Sequence, residues 1–137
     1  MKLNWGSPAP ILRVSNVRAS LDYYLNVLGF KRDWGEEGMV SVSRGRSTVF
    51  LCEYDQSQRG TWMWTGVDDV DALHHELAAR GARIRQQPTN FPWAYETQVE
   101  DLDGNVLRLG AEPKDGVPFG QFLDAKGVLW DITPPPK

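Results

Sequence analysis

The chain has 137 residues, 41% hydrophobic and 24% charged, enough apolar material for a single domain with a real core. A formal charge of −3 and a pI near 5.3 argue against a nucleic-acid binder, and no apolar run reaches transmembrane length, so no membrane partner is expected. The single cysteine, Cys52, excludes an intrachain disulfide and a thiolate zinc cluster and predicts a reducing, cytoplasmic setting.

The opening segment carries one Lys and no apolar stretch, so it reads as mature protein rather than as a signal peptide. Pro10–Val14 alternates weakly as a strand and ends at Ser15 and Asn16, either of which can cap the run that follows. In that run Val17, Leu21, Tyr24, Leu25 and Leu28 recur at helical spacing, and Gly29 supplies the stop. Phe30–Trp34, Met39–Ser43 and Thr48–Glu53 then read as three short strands separated by Gly-rich turns. The first half is thus β-α-β-β-β.

Past a Gln-rich link, Asp55–Gly60, the same order returns. Thr61–Thr65 is a strand, Asp68 or Asp69 a cap, and Val70, Leu73 and Leu77 the stripe of a helix through Ala79. Strand signals follow around Ala82–Arg85, Trp93–Val99 and Asn105–Ala111, the last two joined by the hairpin signal Asp101-Leu102-Asp103-Gly104. Val14-Ser15-Asn16-Val17 overlays Val67-Asp68-Asp69-Val70, which predicts an internal duplication with modules at about 8–54 and 60–112. Residues 113–137 lie beyond the repeat. They predict a short hairpin turning at Ala125–Gly127 with Phe119, Phe122, Leu129 and Trp130 as packing residues, then an extended Pro134–Pro136 end. Such an extension caps either a ligand cleft or a subunit seam.

The paired β-α-β-β-β order, the Leu28-Gly29-Phe30 helix exit and the Asp101-x-Asp-Gly-Asn105 hairpin together resemble the vicinal oxygen chelate superfamily. That superfamily includes glyoxalase I, extradiol dioxygenases, fosfomycin-resistance enzymes and bleomycin resistance proteins. The resemblance covers about Pro8 to Glu112. It implies an α+β fold in which two βαβββ modules form an incomplete eight-stranded barrel with the ligand on its concave face. Catalytic members place His, Glu or Gln at four equivalent strand positions around a divalent ion, and those positions carry over to Ala9, Phe50, Trp62 and Arg108. Alanine and phenylalanine offer no lone pair, the indole N–H only donates, and guanidinium is a permanent cation, so neither a metal nor another cofactor is expected. His74 and His75, the only histidines, are neighbours on a helix whose side chains diverge.

Within the superfamily the likeness is greatest to the bleomycin resistance proteins, through Gly29-Phe30-x-Arg32-Asp33-Trp34, Trp62-Met63-Trp64, Pro92-Trp93 and Asp103-Gly104-Asn105. It implies a homodimer that sequesters a cationic, heteroaromatic antibiotic of bleomycin type without turnover, with no catalytic residue. Trp62 and Trp64 share a strand face and form a stacking platform that Trp34 and Trp93 extend. Asp33 and Glu53 favour a cation, and Phe50, Cys52 and Arg108 complete the expected ligand-binding set. An interior Arg108 requires a partner, for which Glu96 or Glu53 is placed. Against these stand plainer readings: tryptophans that fill a barrel, and a Cys52 that is a small buried apolar residue. The competing functions are a metal-dependent lyase or dioxygenase with displaced ligands and, further off, a protein-interaction domain.

Overall fold

A computed structural model of the protein describes residues 2–132. The chain folds as two compact units. The first runs through Thr61 and takes in Asp101–Asn105; the second holds Trp62–Glu100 and resumes at Val106. Among the described residues no helix is long and apolar enough to cross a membrane.

In the first unit β1 (Ile11–Arg13), α1 (Val17–Asn26), β2 (Lys31–Gly35), β3 (Met39–Arg44) and β4 (Ser47–Cys52) follow one another, and the sheet order is β1-β4-β3-β2. In the second, β5 (Trp62–Gly66), α2 (Val70–Ala79), β6 (Arg83–Asn90), β7 (Tyr95–Glu100) and β8 (Val106–Ala111) give the order β5-β8-β7-β6. The two sheets are built alike. In each the first strand runs parallel to the last, Ile11 opposite Phe50 and Trp64 opposite Arg108. The Val14 N–H bonds the Cys52 carbonyl just as the Val67 N–H bonds that of Gly110. The duplication expected from the short sequence overlay is therefore structural, the fold is α+β, and neither sheet closes into a barrel.

Alternation sets what each sheet buries. Val40, Val42, Val49 and Leu51 point to one side and are fully buried with Tyr24 and Val17 of α1. Val99, Leu107 and Leu109 do the same with Val70 and Leu77 of α2. Both helices start at a side-chain cap: Asn16 accepts from the Ala19 N–H and Asp69 from that of Ala72, each at 3.0 Å. Differences from expectation are local. Helix α1 ends at Asn26 and not at Leu28, and β6 runs on to Asn90 although its alternation fades after Arg85. Strand β6 lies at the sheet edge and carries two register shifts, a place where Pro88 is tolerated.

The turn Asp101–Asn105 is organised by one carboxylate. Asp101, fully buried, accepts from the Asp103 and Asn105 N–H groups, from Asn105 Nδ2 and from the Tyr24 hydroxyl, all at 2.9–3.0 Å. Asp103 accepts the Ser15 N–H ahead of α1, and Asn105 donates to the Arg13 carbonyl and accepts from the Thr61 N–H. A hairpin of β9 (Gln121–Leu123) and β10 (Leu129–Asp131) forms where the sequence places one. Of its four expected packing residues only Phe122 is inward; Phe119, Leu129 and Trp130 are exposed, and Pro134–Pro136 lies outside the described residues.

Candidate functional site

The expected ligand-binding residues divide between the units, and all but Glu53 lie on strand faces turned away from the helices or beside them. In the first unit Trp34, half exposed, leans on Phe50 with ring centroids 5.1 Å apart. A register shift at Asp33 bulges β2 there, and the Asp33 carboxylate accepts from the buried Ser41 and Ser43 hydroxyls at 3.3 and 2.8 Å. Cys52 is fully buried, its sulfur 3.8 Å from the Tyr54 carbonyl. Glu53 is exposed, and its carboxylate takes the Val17 N–H at 2.7 Å, an anion at a helix N-terminus.

The second unit gathers more. On its sheet face opposite α2, Arg108 grips Glu96 through two bonds of 2.9 Å, Nε to Oε2 and Nη2 to Oε1. Glu96 is 1% exposed and also accepts the Trp93 indole N–H at 2.6 Å. Of the two carboxylates placed for Arg108, Glu96 is therefore the one it meets. Trp93 stacks on the buried Phe91 at 4.8 Å and 6°. Beside this, Arg85 stands over the Trp62 ring at 4.7 Å and donates to Gln98 Oε1. Sequence reasoning passed over Arg85, Gln98 and Phe91; a cation on a fading strand and a Phe before a Pro give no periodic signal.

Trp64 explains the glycine opposite. A Cβ on Gly110 would stand 2.9 Å from the indole Cζ2, so only glycine lets the ring lie against β8. The exposed half of that ring opens on a groove of about 840 Å³ shared with Trp93, Tyr95, Gly66, Asp68, Asp69, Asp71, Glu112 and Lys114. Four carboxylates face one ammonium there. Lys114 donates to Asp71 at 2.8 Å and rests 4.2 Å over the Tyr95 ring, while the Tyr95 hydroxyl donates to the same carboxylate at 2.6 Å. The bond from Lys114, then that from Tyr95, holds the Asp71 carboxyl below its usual range, and burial chiefly raises the Tyr95 phenol.

The four residues at which the resemblance places the superfamily's metal positions do not fit a cation. Arg108 is committed to Glu96, Trp62 lies under a guanidinium, and Phe50 and Ala9 carry no donor atom. Among the described residues no three His, Cys, Asp or Glu side chains gather as a metal site.

Comparison with known proteins agrees with this architecture. The bleomycin-binding protein of the bleomycin producer Streptomyces verticillus, solved with copper(II)-bleomycin, matches with a TM-score of 0.69 at 26% identity, over 80% of this chain and 98% of its own. A glyoxalase/bleomycin resistance protein from Streptomyces sp. CB03234 matches with a TM-score of 0.64 at 26% identity, over 76% and 99%. The antibiotic-binding protein TnmS3 of the same strain shares the fold at 24% identity, with a TM-score of 0.68 over 82% and 100%. No curated protein matches the chain. Residues 7–109, well over half of the chain and both βαβββ modules up to the last residues of β8, match the family described as the Glyoxalase/Bleomycin resistance protein/Dioxygenase superfamily, and the chain belongs to it.

Proposed function

We propose that the protein binds and sequesters a small cationic, heteroaromatic antibiotic of bleomycin type without turnover, as a homodimer in a reducing cytoplasm. The observation that carries this reading is the groove of the second unit, where the half-exposed indoles of Trp64 and Trp93 stand among Asp68, Asp69, Asp71 and Glu112. Flat rings offer stacking area to a planar heterocycle, and the surplus of carboxylates selects a positive charge beside it. In the first unit the Trp34–Phe50 pair, with Asp33 fixed beside it by two serines, has the same chemistry. The likeness to a protein solved with copper(II)-bleomycin at 26% identity supports the ligand class.

The test is a tryptophan fluorescence titration with bleomycin and phleomycin, with and without EDTA, alongside light scattering for mass. Quenching that saturates, survives the chelator and leaves the drug unchanged by mass spectrometry is expected. No quenching by any member of an antitumour-antibiotic panel would sink the reading, and so would a chemically altered drug. Trp64→Ala is expected to weaken binding roughly 10- to 100-fold, the range for losing one stacking platform. Gly110→Ala is expected to weaken it in the same direction while keeping both indoles, because the new Cβ pushes the Trp64 ring off β8.

A further inference from the structure

The second unit carries its own occupant. Phe122 of the C-terminal hairpin sits with its ring centroid 5.7 Å from Phe91, 5.9 Å from Trp93 and 6.4 Å from Trp62, and the Arg108 guanidinium stands 5.0 Å from it. Three aromatic walls and a cation are what a planar ligand ring would meet in the same place. The hairpin lies beyond the family match, which ends at residue 109. We propose that it is a displaceable cover: Phe122 stands in for a ligand's ring, and binding swings the hairpin out and fills the slot. This rests on the ring-binding reading above and adds to the open groove a second slot, sharing Trp93 with it, that the hairpin keeps filled.

Three features point to displacement and not to a permanent wall. First, β9 and β10 pair only with each other, over three residues each, and so short a ribbon has little stability of its own. Second, the cover hangs from few groups. Its hydrogen bonds to the unit run through two long side chains that can move with it, Arg85 donating to the Leu123 and Asp124 carbonyls and Gln86 bonding Gln121 and Leu123, whereas the chain before it is tied to the buried Asn90, which holds Lys114 and Val117. Gly120, whose N–H bonds the Asn90 carbonyl, is the last residue tied to the β6 backbone and the natural pivot. Third, the closed state leaves a donor unused. Gln98 is fully buried, its oxygen is taken by Arg85, and its Nε2 has no partner. A buried amide N–H without an acceptor is costly, so a ligand that brings an acceptor beside its ring gains a bond that Phe122 cannot offer.

A cover that is closed most of the time reduces apparent affinity by the fraction of molecules that are open. The experiment compares wild type with Phe122→Ala, using bleomycin A2 and the planar cation proflavine as probes and tryptophan quenching as readout. Both probes are expected to bind Phe122→Ala at least tenfold more tightly. Hydrogen exchange on the wild type, which needs no variant, is expected to show the amides of β9 and β10 exchanging at least tenfold faster with saturating probe while β5–β8 slow. Equal or weaker binding by a folded Phe122→Ala, or hairpin amides that slow or stay unchanged on binding, overturns the cover while leaving the ring-binding reading intact. Absence of binding by both proteins overturns that reading and the cover with it.

Discussion

Replacing Glu96 with Ala is expected to cost about 3–5 kcal/mol of stability, read as a fall in the urea midpoint, because it leaves a guanidinium without its counter-charge. The carboxylate is almost fully buried and meets three donors: Nε and Nη2 of Arg108, and the Trp93 indole. Its removal strands all of them on one sheet face. Glu96→Gln keeps the shape but puts an amide against donors, so an intermediate loss is expected. The double variant Glu96→Ala/Arg108→Met should recover part of it, since removing both members of a buried pair is far less harmful than removing one. A single-variant loss below about 1 kcal/mol would show that the pair is solvated and would remove Glu96 from the architecture of the site.

Asp101→Ala belongs in the same range, about 3–5 kcal/mol, through a different mechanism. The Tyr24 hydroxyl, the Asn105 side chain and the Asn105 N–H, all in buried residues, lose their acceptor together, and the Asp103 N–H loses it with them. The pH dependence has a definite sign. Burial raises the Asp101 carboxyl above its usual range, with the bonds from Asn105, Asp103 and Tyr24 opposing, and burial and the nearby Asp101 charge push the Tyr24 phenol well up. A native state that holds a proton more tightly than the unfolded chain is helped most by that group below the ordinary carboxylate value, about 3.9, and loses this help as pH rises through the raised one. Asparagine does not titrate. The gap in urea midpoint between wild type and Asp101→Asn is therefore expected to be widest near pH 4 and to narrow toward neutrality. A gap that is flat, or that widens toward pH 7, contradicts the assignment.

Most of the fold was legible because period and punctuation are local properties. Asn16, Asp69 and the Val17 and Val70 stripes start two ten-residue helices where sequence reasoning places them, and the overlay at Val14 and Val67 carries through to the same carbonyl partners. Where local signal ran out, so did the expectation. Strand β6 is polar, bulged and proline-bearing, so its extension to Asn90 rests on pairing with β7 and not on its own pattern. The site was half legible. That Trp62 and Trp64 share a face follows from alternation, and that Arg108 needs a carboxylate follows from the cost of an unpaired charge. Which carboxylate it meets depends on register: Gln98 stands opposite Arg108 and Glu96 opposite Gly110, next along the same face. Glu53 was placed by its charge near the strands, but backbone geometry delivers it to the Val17 N–H. Nor does any sequence period announce that Phe122, more than a hundred residues' numbering into the chain, returns to stand between Trp62 and Trp93.

The clasp at Asp101–Asn105 has a consequence for the order of folding. The first module ends in sequence at Cys52, yet the partners of its Ser15 amide, Arg13 carbonyl and Tyr24 hydroxyl are supplied by residues from 101 to 105. Contacts separated by 77 to 92 positions close late, since the intervening chain must be brought together first. On the ribosome the nascent first module is therefore expected to wait, with those three groups unpaired, until translation has passed the second module's last turn. Its folding is completed by a segment that the synthesis of nearly the whole duplicated core must precede.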